Sequence, residues 1–348
     1  MTLSRFAFGF AFVSGSLLAV GACGGGGGAD PIDARIDTAP GSDSGPGSDV
    51  LPPVDARPVD FGSNEGGEVR LEYIRHANGT GVGARGTAFF YKDSGTTKFW
   101  PFLDLNGCTD LSGTNGNGKW PKAQNPDGER VYYDVGSNVT AIGGPQPFVL
   151  AKNATAAKDP VGRSELANQW YSNPFTAMDS DGATFLPADT VYDIVVPGTA
   201  DYAGHIYDNA LYMPGDWSID SPAFGITPIQ TTAATDETYV FNNVTNHPIT
   251  NPDGSTSEIQ YLIAFTGANG PAVICVKKAD AGAKTTITVP GAMVNVARTA
   301  YPTGGQVARQ TVSHTVRELV NETGAPTGKR IDFLGVWCYA GQTYLSTP

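Results

Sequence analysis

Apolar and polar residues alternate with period two along much of this chain, the pattern of strands that bury one face. Residues 69–74 show it clearly. So do residues 311–320, where Val312, Val316 and Val320 share a phase with His314 and Glu318. Shorter runs at 86–91, 99–103, 131–135, 139–142, 148–150, 190–196, 238–241, 258–265, 272–276, 285–289 and 331–339 also predict strands. Turn formers such as Asn106-Gly107, Asn125 to Gly128 and Pro197-Gly198 separate them. Residues 290–297, led by Pro290, predict a short helix, and another is predicted near 164–170. The expected fold is therefore all-β. Strand spacing suits two β-sandwich, immunoglobulin-like modules, 68–225 and 226–348, divided in the weakly patterned, Pro-bearing stretch 221–232. The Cys/Trp/Cys arrangement of antibody domains is not reproduced.

The first 67 residues follow different rules. Arg5 precedes an apolar stretch, residues 6–13 continued by Leu17 to Ala19, and small residues Gly21 and Ala22 lead to Cys23. The stretch is too short and too interrupted for a spanning helix and reads as a signal peptide, residues 1–22. Gly24 to Gly28 then opens a tether rich in Gly, Asp and Pro, residues 23–67 counted from Cys23. Eight acidic residues there face only Arg35 and Arg57. Few apolar side chains are present to offset ordering entropy, so disorder is expected. As a coil the tether spans roughly 35–40 Å.

Residues 16–23 resemble the signal-peptide end and lipobox of bacterial lipoproteins. The whole layout is similar to a broad group of uncharacterised bacterial lipoproteins with a lipobox, a Gly/Asp/Pro stalk and a β-rich exodomain. That resemblance covers residues 1–67. It implies cleavage before Cys23 and acyl chains on its thiol and new amino group. Two or more chains anchor durably, at ~0.8 kcal/mol per buried CH₂. Gly24, not Asp, follows the Cys, which implies the cell envelope, at the outer membrane of a Gram-negative bacterium.

Charge narrows the partners. The formal net charge of −12 repels phosphate backbones, so nucleic acid is not an expected partner. Export permits disulfides, and Cys275 and Cys338, both in strand-like runs of the expected C-terminal module, are the expected pair.

Candidate chemistry is sparse. Asp179, Asp181 and Asp189 around Asp-Ser-Asp-Gly182 are the candidate calcium ligands, although Thr190 stands where a calcium loop needs Glu. No other cofactor is expected. His76, His205, His247 and His314 form no zinc-spaced motif, and His314 reads as a packed strand residue. Residues 113–119 imitate a phosphate loop, but Trp120 and Pro121 follow where Ser/Thr and a helix belong. No GxSxG elbow occurs in the exodomain. Aromatics Trp120, Trp170, Tyr171 and Trp217 fall in expected loops and are candidates for stacking on a glycan or anchoring a protein partner. The expectation is a membrane-anchored lipoprotein with a surface binding or adhesion exodomain. The alternatives are a secreted carboxylate- or metal-dependent hydrolase of envelope or extracellular polysaccharide, and a structural envelope protein.

Overall fold

The computed structural model describes residues 66–77, 83–92, 106–112, 131–152, 170–177, 186–200, 202–215, 219–244, 249, 257–267, 270–320 and 326–346. The expected signal, Cys23, most of the tether, strand 99–103 and the helix up to residue 169 lie outside them. In chain order the first half supplies β1 (Gly66–His76), β2 (Gly83–Lys92), β3 (Gly107–Asp110), β4 (Val131–Tyr132), β5 (Asn138–Ile142), β6 (Phe148–Lys152), β7 (Trp170–Ala177), β8 (Thr190–Val196) and β9 (His205–Met213). The second half adds β10 (Ile219–Ser221), β11 (Ile229–Thr231), β12 (Glu237–Asn242), β13 (Glu258–Gly267), β14 (Gly270–Lys278) and β15 (Lys284–Val289). Then come helix α1 (Gly291–Ala300), β16 (Gly305–Val320) and β17 (Pro326–Ser346). The all-β expectation holds, with one helix among the described residues.

The expected division at 225/226 does not separate two sheets. Among the described residues, fourteen strands from both sides of it form one sheet. Its main order is β3-β14-β13-β16-β17-β1-β2-β7-β6-β5-β8-β9, with β11 beside β17 and β4 beside β2. Two pairings stitch the halves together. β1 lies parallel to β17, Val69 opposite Phe333 and Tyr73 opposite Trp337. β3 lies antiparallel to β14, with Cys108 opposite Cys275. Parallel pairing needs a crossover, not a hairpin, and here the crossover is most of the chain. Sequence periodicity reports which face a residue takes but is silent on which distant strand becomes its neighbour.

β13 and β16 lie inside the sheet, each paired along both edges, and residues 259–266 of β13 are buried on both faces. β15 shows the other pattern, exposed and buried positions in strict alternation. A second sheet, β10-β12-β15, covers one face of the first: Phe241 packs on Tyr261 with ring centroids 5.0 Å apart, and Tyr239 meets Phe265 edge-on at 6.2 Å. The far end of the large sheet closes over the same face. Tyr207 of β9 meets Phe333 of β17 at 5.3 Å. The β9 backbone runs so close to Gly335 that a Cβ there would collide with the Tyr212 carbonyl. The principal core fills this space, with Val69, Leu71, Phe90, Tyr192, Ile263 and Phe265 fully buried. A smaller buried cluster, including Leu262, Val312, Val336 and Cys338, lies on the opposite face of the central strands.

α1 is longer than expected, ten residues. Val294 and Ala297 point into the principal core, and Asp236 accepts from the Gly291 N–H at its start at 2.7 Å. An acidic side chain there suits the helix dipole.

The disulfide corrects the expected pairing. Cys275 bonds Cys108, and Cys338 is a buried free thiol. β13 and β16 intervene between β14 and β17, placing Cys275 and Cys338 roughly 14 Å apart at ~4.8 Å per strand. Their side chains also belong to opposite faces, Cys275 in the principal core and Cys338 in the smaller cluster. A bridge cannot span that separation.

Candidate functional site

The connection between β10 and β11 carries the site. Residues 221–235 hold no charged side chain, in a chain whose net charge is −12. Asp220 and Asp236 close the stretch at its two ends, and Asp220 is itself paired with Lys284 at 2.6 Å. At its centre Ile226 is 76% exposed, the most exposed of the large apolar side chains described. Burying an Ile is worth about 1.5–3 kcal/mol. The loop leaves that free energy available to a partner.

The loop is held from beneath by two buried polar residues of the large sheet. Arg309 of β16 is fully buried. Its Nη1 donates to the Pro222 carbonyl at 2.6 Å, and its Nη2 donates to Gln342 Oε1 at 2.7 Å. Its guanidinium also lies 5.2 Å from the Tyr239 ring centre. Gln342 of β17, itself buried, donates through Nε2 to the Ala223 and Thr227 carbonyls at 3.0 and 2.9 Å. Phe224 packs edge-on against Tyr339 at 4.7 Å. Three loop carbonyls and one ring are thereby fixed, and Ile226 is presented from a preorganised backbone. Burial lowers the Arg309 pKa to about 10, against the opposing influence of Tyr239, and the group stays cationic at neutral pH. Among the described residues that cation donates to carbonyl oxygens and faces a ring, and no carboxylate pairs with it. A bidentate, planar donor is the side chain that can serve a carbonyl and an amide together.

The residues expected from sequence fall elsewhere. Cys23, Trp120, Asp179, Asp181 and Trp217 lie outside the described residues. Trp170 opens β7, opposite Phe89. Tyr171 is a correction: it is fully buried, not exposed in a loop. Its hydroxyl accepts from the Val135 N–H at 2.8 Å and donates to the Gly136 carbonyl at 3.0 Å. Burial is the main cause that raises its pKa to about 12. Asp189 sits at φ 54°, and its Oδ1 accepts from the Tyr212 hydroxyl at 2.6 Å. Among the described residues no three His, Cys, Asp or Glu side chains gather as a metal site.

A second polar cluster is structural. His314 Nε2 lies 2.6 Å from Asp332 Oδ1, a contact that needs a hydrogen on that nitrogen. Arg330 Nε also donates to Asp332 Oδ1, at 2.7 Å. Burial pushes the Asp332 carboxyl upward, but the His314 hydrogen bond and the charges of His314 and Arg330 outweigh it and hold the pKa below the usual range.

Arg309 and Gln342 escaped sequence reading because that reading starts the strand at 311. Its apolar residues Val312, Val316 and Val320 set one phase, and Arg309 falls on the other, with polar Thr311, Ser313 and Thr315, a phase that reads as solvent-facing although it is buried here. The fifteen-residue uncharged run at 221–235 is the signal the sequence carried.

No family model matches the chain, and no curated protein matches it. Among solved structures the chain is similar to the yeast delta-COP-I mu-homology domain. The identity is 8% and the TM-score 0.19, with 82% of this chain and 98% of that chain covered. The same domain complexed with a Dsl1 WxWxV peptide gives 7% identity and a TM-score of 0.18, covering 82% and 99%. Scores of this size leave the function to be argued from the chain's own residues.

Proposed function

We propose that this chain is a lipid-anchored envelope protein whose β-rich body binds a partner through the loop at 222–228. The single observation that supports the binding site is Ile226, largely exposed on a loop whose carbonyls are fixed by buried Arg309 and Gln342. A loop fixed in advance loses little entropy on binding. The Cys108–Cys275 bond suits an oxidising compartment, as export through the Cys23 signal would require. The tether composition suits a stalk between anchor and body.

The anchor is tested by mass spectrometry of the N-terminal peptide, where acyl mass on Cys23 is expected and an uncleaved, unmodified N-terminus would sink the placement. The binding site is tested by screening the protein against glycan arrays and envelope-protein arrays, with Ile226→Asp alongside. We expect a bound partner to be lost in the variant while its melting stays within about 0.5 kcal/mol of the parent. A partner retained equally by Ile226→Asp, or none in either screen, removes the loop from consideration.

A further inference from the structure

We propose that the groove between α1 and the β3–β14 end of the sheet is a binding site for a small uncharged aliphatic ligand. The groove has a volume of about 460 Å³, within the range of small-molecule sites. Leu111, Pro271 and Ala272 form one wall. The helix supplies the other: Ala292, Val296 and Thr299 recur at spacings of four and three, one stripe along α1. Among the described residues the polar lining atoms are few and neutral, the hydroxyls of Ser112, Thr299 and Tyr301 and the Asn295 amide, and the Ser112 hydroxyl is already committed to Asp110 Oδ1 at 2.6 Å. Among the described residues no charged side chain lines the groove. A charged ligand would be desolvated there without a counter-ion, so the chemistry selects a neutral one.

The walls are braced before any ligand arrives. The Cys108–Cys275 bond joins β3 to β14 three residues from Leu111 and from Ala272, and the Leu111 N–H donates to the Ala272 carbonyl at 2.7 Å. Asn295 Oδ1 accepts from the Ala234 N–H at 2.9 Å, which fixes the helix side. The Tyr301 ring lies directly against Gly267, where any side chain would collide with it. This site is distinct from the loop at 222–228 and stands or falls separately.

The test uses the full chain carrying Cys23→Ala, so that no acyl chain is attached, and Ala292→Trp separates dye in the groove from dye on the apolar stretch at 6–19. The probe is Nile red, an uncharged apolar dye, displaced by 1-decanol, decanoate or decyltrimethylammonium. We expect saturable binding displaced by 1-decanol, with both charged chains at least about tenfold weaker. Ala292→Trp, at an exposed position, fills the groove and is expected to weaken the dye at least about tenfold. Ile226→Asp is expected to leave it unchanged. No saturable binding, binding unaffected by Ala292→Trp, or equal displacement by charged and neutral chains would each overturn the proposal.

Discussion

Cys338 shows how far burial alone sets a residue's chemistry. Its thiol pKa is raised to about 12, first by desolvation and then by the Glu72 charge, despite a 3.5 Å hydrogen bond from Gln310 Nε2. The thiolate is the reactive form. Native protein is therefore expected to leave Cys338 unmodified by iodoacetamide, with one alkylated Cys appearing only in denaturant, as read by intact mass. Asp332 behaves oppositely. Its folded pKa is depressed, so its stabilisation is present above the unfolded value near 4 and lost as pH falls through the folded value. Asp332→Asn is expected to cost about 3 kcal/mol at neutral pH and to flatten the acid side of a stability–pH curve. An acid limb identical to the parent's would refute this assignment. His314 as a packed, hydrogen-bonded strand residue was legible from its alternating neighbours. Tyr171 was not, because an aromatic in an unpatterned stretch looks the same whether it faces water or core.

Among the elements, the loop at 222–228 makes the sharpest claim. Arg309→Met keeps the apolar volume and removes the donors to Pro222 and Gln342. Lost hydrogen bonds and relief of a desolvated charge oppose each other, leaving a net loss of about 1–3 kcal/mol. Amide exchange is expected to quicken selectively across 223–230, and a uniform change over the whole sheet would mean the arginine supports the core generally. Strands with an unbroken phase, such as those now seen as β1, β8 and β15, were readable from sequence, and β13 was readable as a continuous apolar run. β9 was not. Asn209 adopts φ 46° where the pairing with β8 shifts register, and burial then changes from alternating to continuous over residues 210–213. A bulge of this kind erases the period that strand recognition depends on. The helix was visible because Pro290 marks its start, and its extension to Ala300 reflects packing of Val294 and Ala297.

At the scale of the whole molecule, the Cys108–Cys275 bond encloses a sequence separation of 167 residues. Its removal by paired serine substitution is expected to cost about 2–5 kcal/mol, measured by denaturant unfolding. An unchanged midpoint would show that β3 is held by its ladder alone. The all-β class was open to sequence reading, since it needs only local period and turn residues. The single large sheet was hidden, because its two decisive neighbours, β1 with β17 and β3 with β14, are joined by contacts remote along the chain. The parallel seam of β1 and β17 has a temporal meaning as well. The earliest strand of the body waits for the last to be synthesised before its second edge is covered, so no stretch of the growing chain can finish the architecture early. Loss of the terminal twenty or so residues would leave an unfinished sheet with open edges, ready to associate.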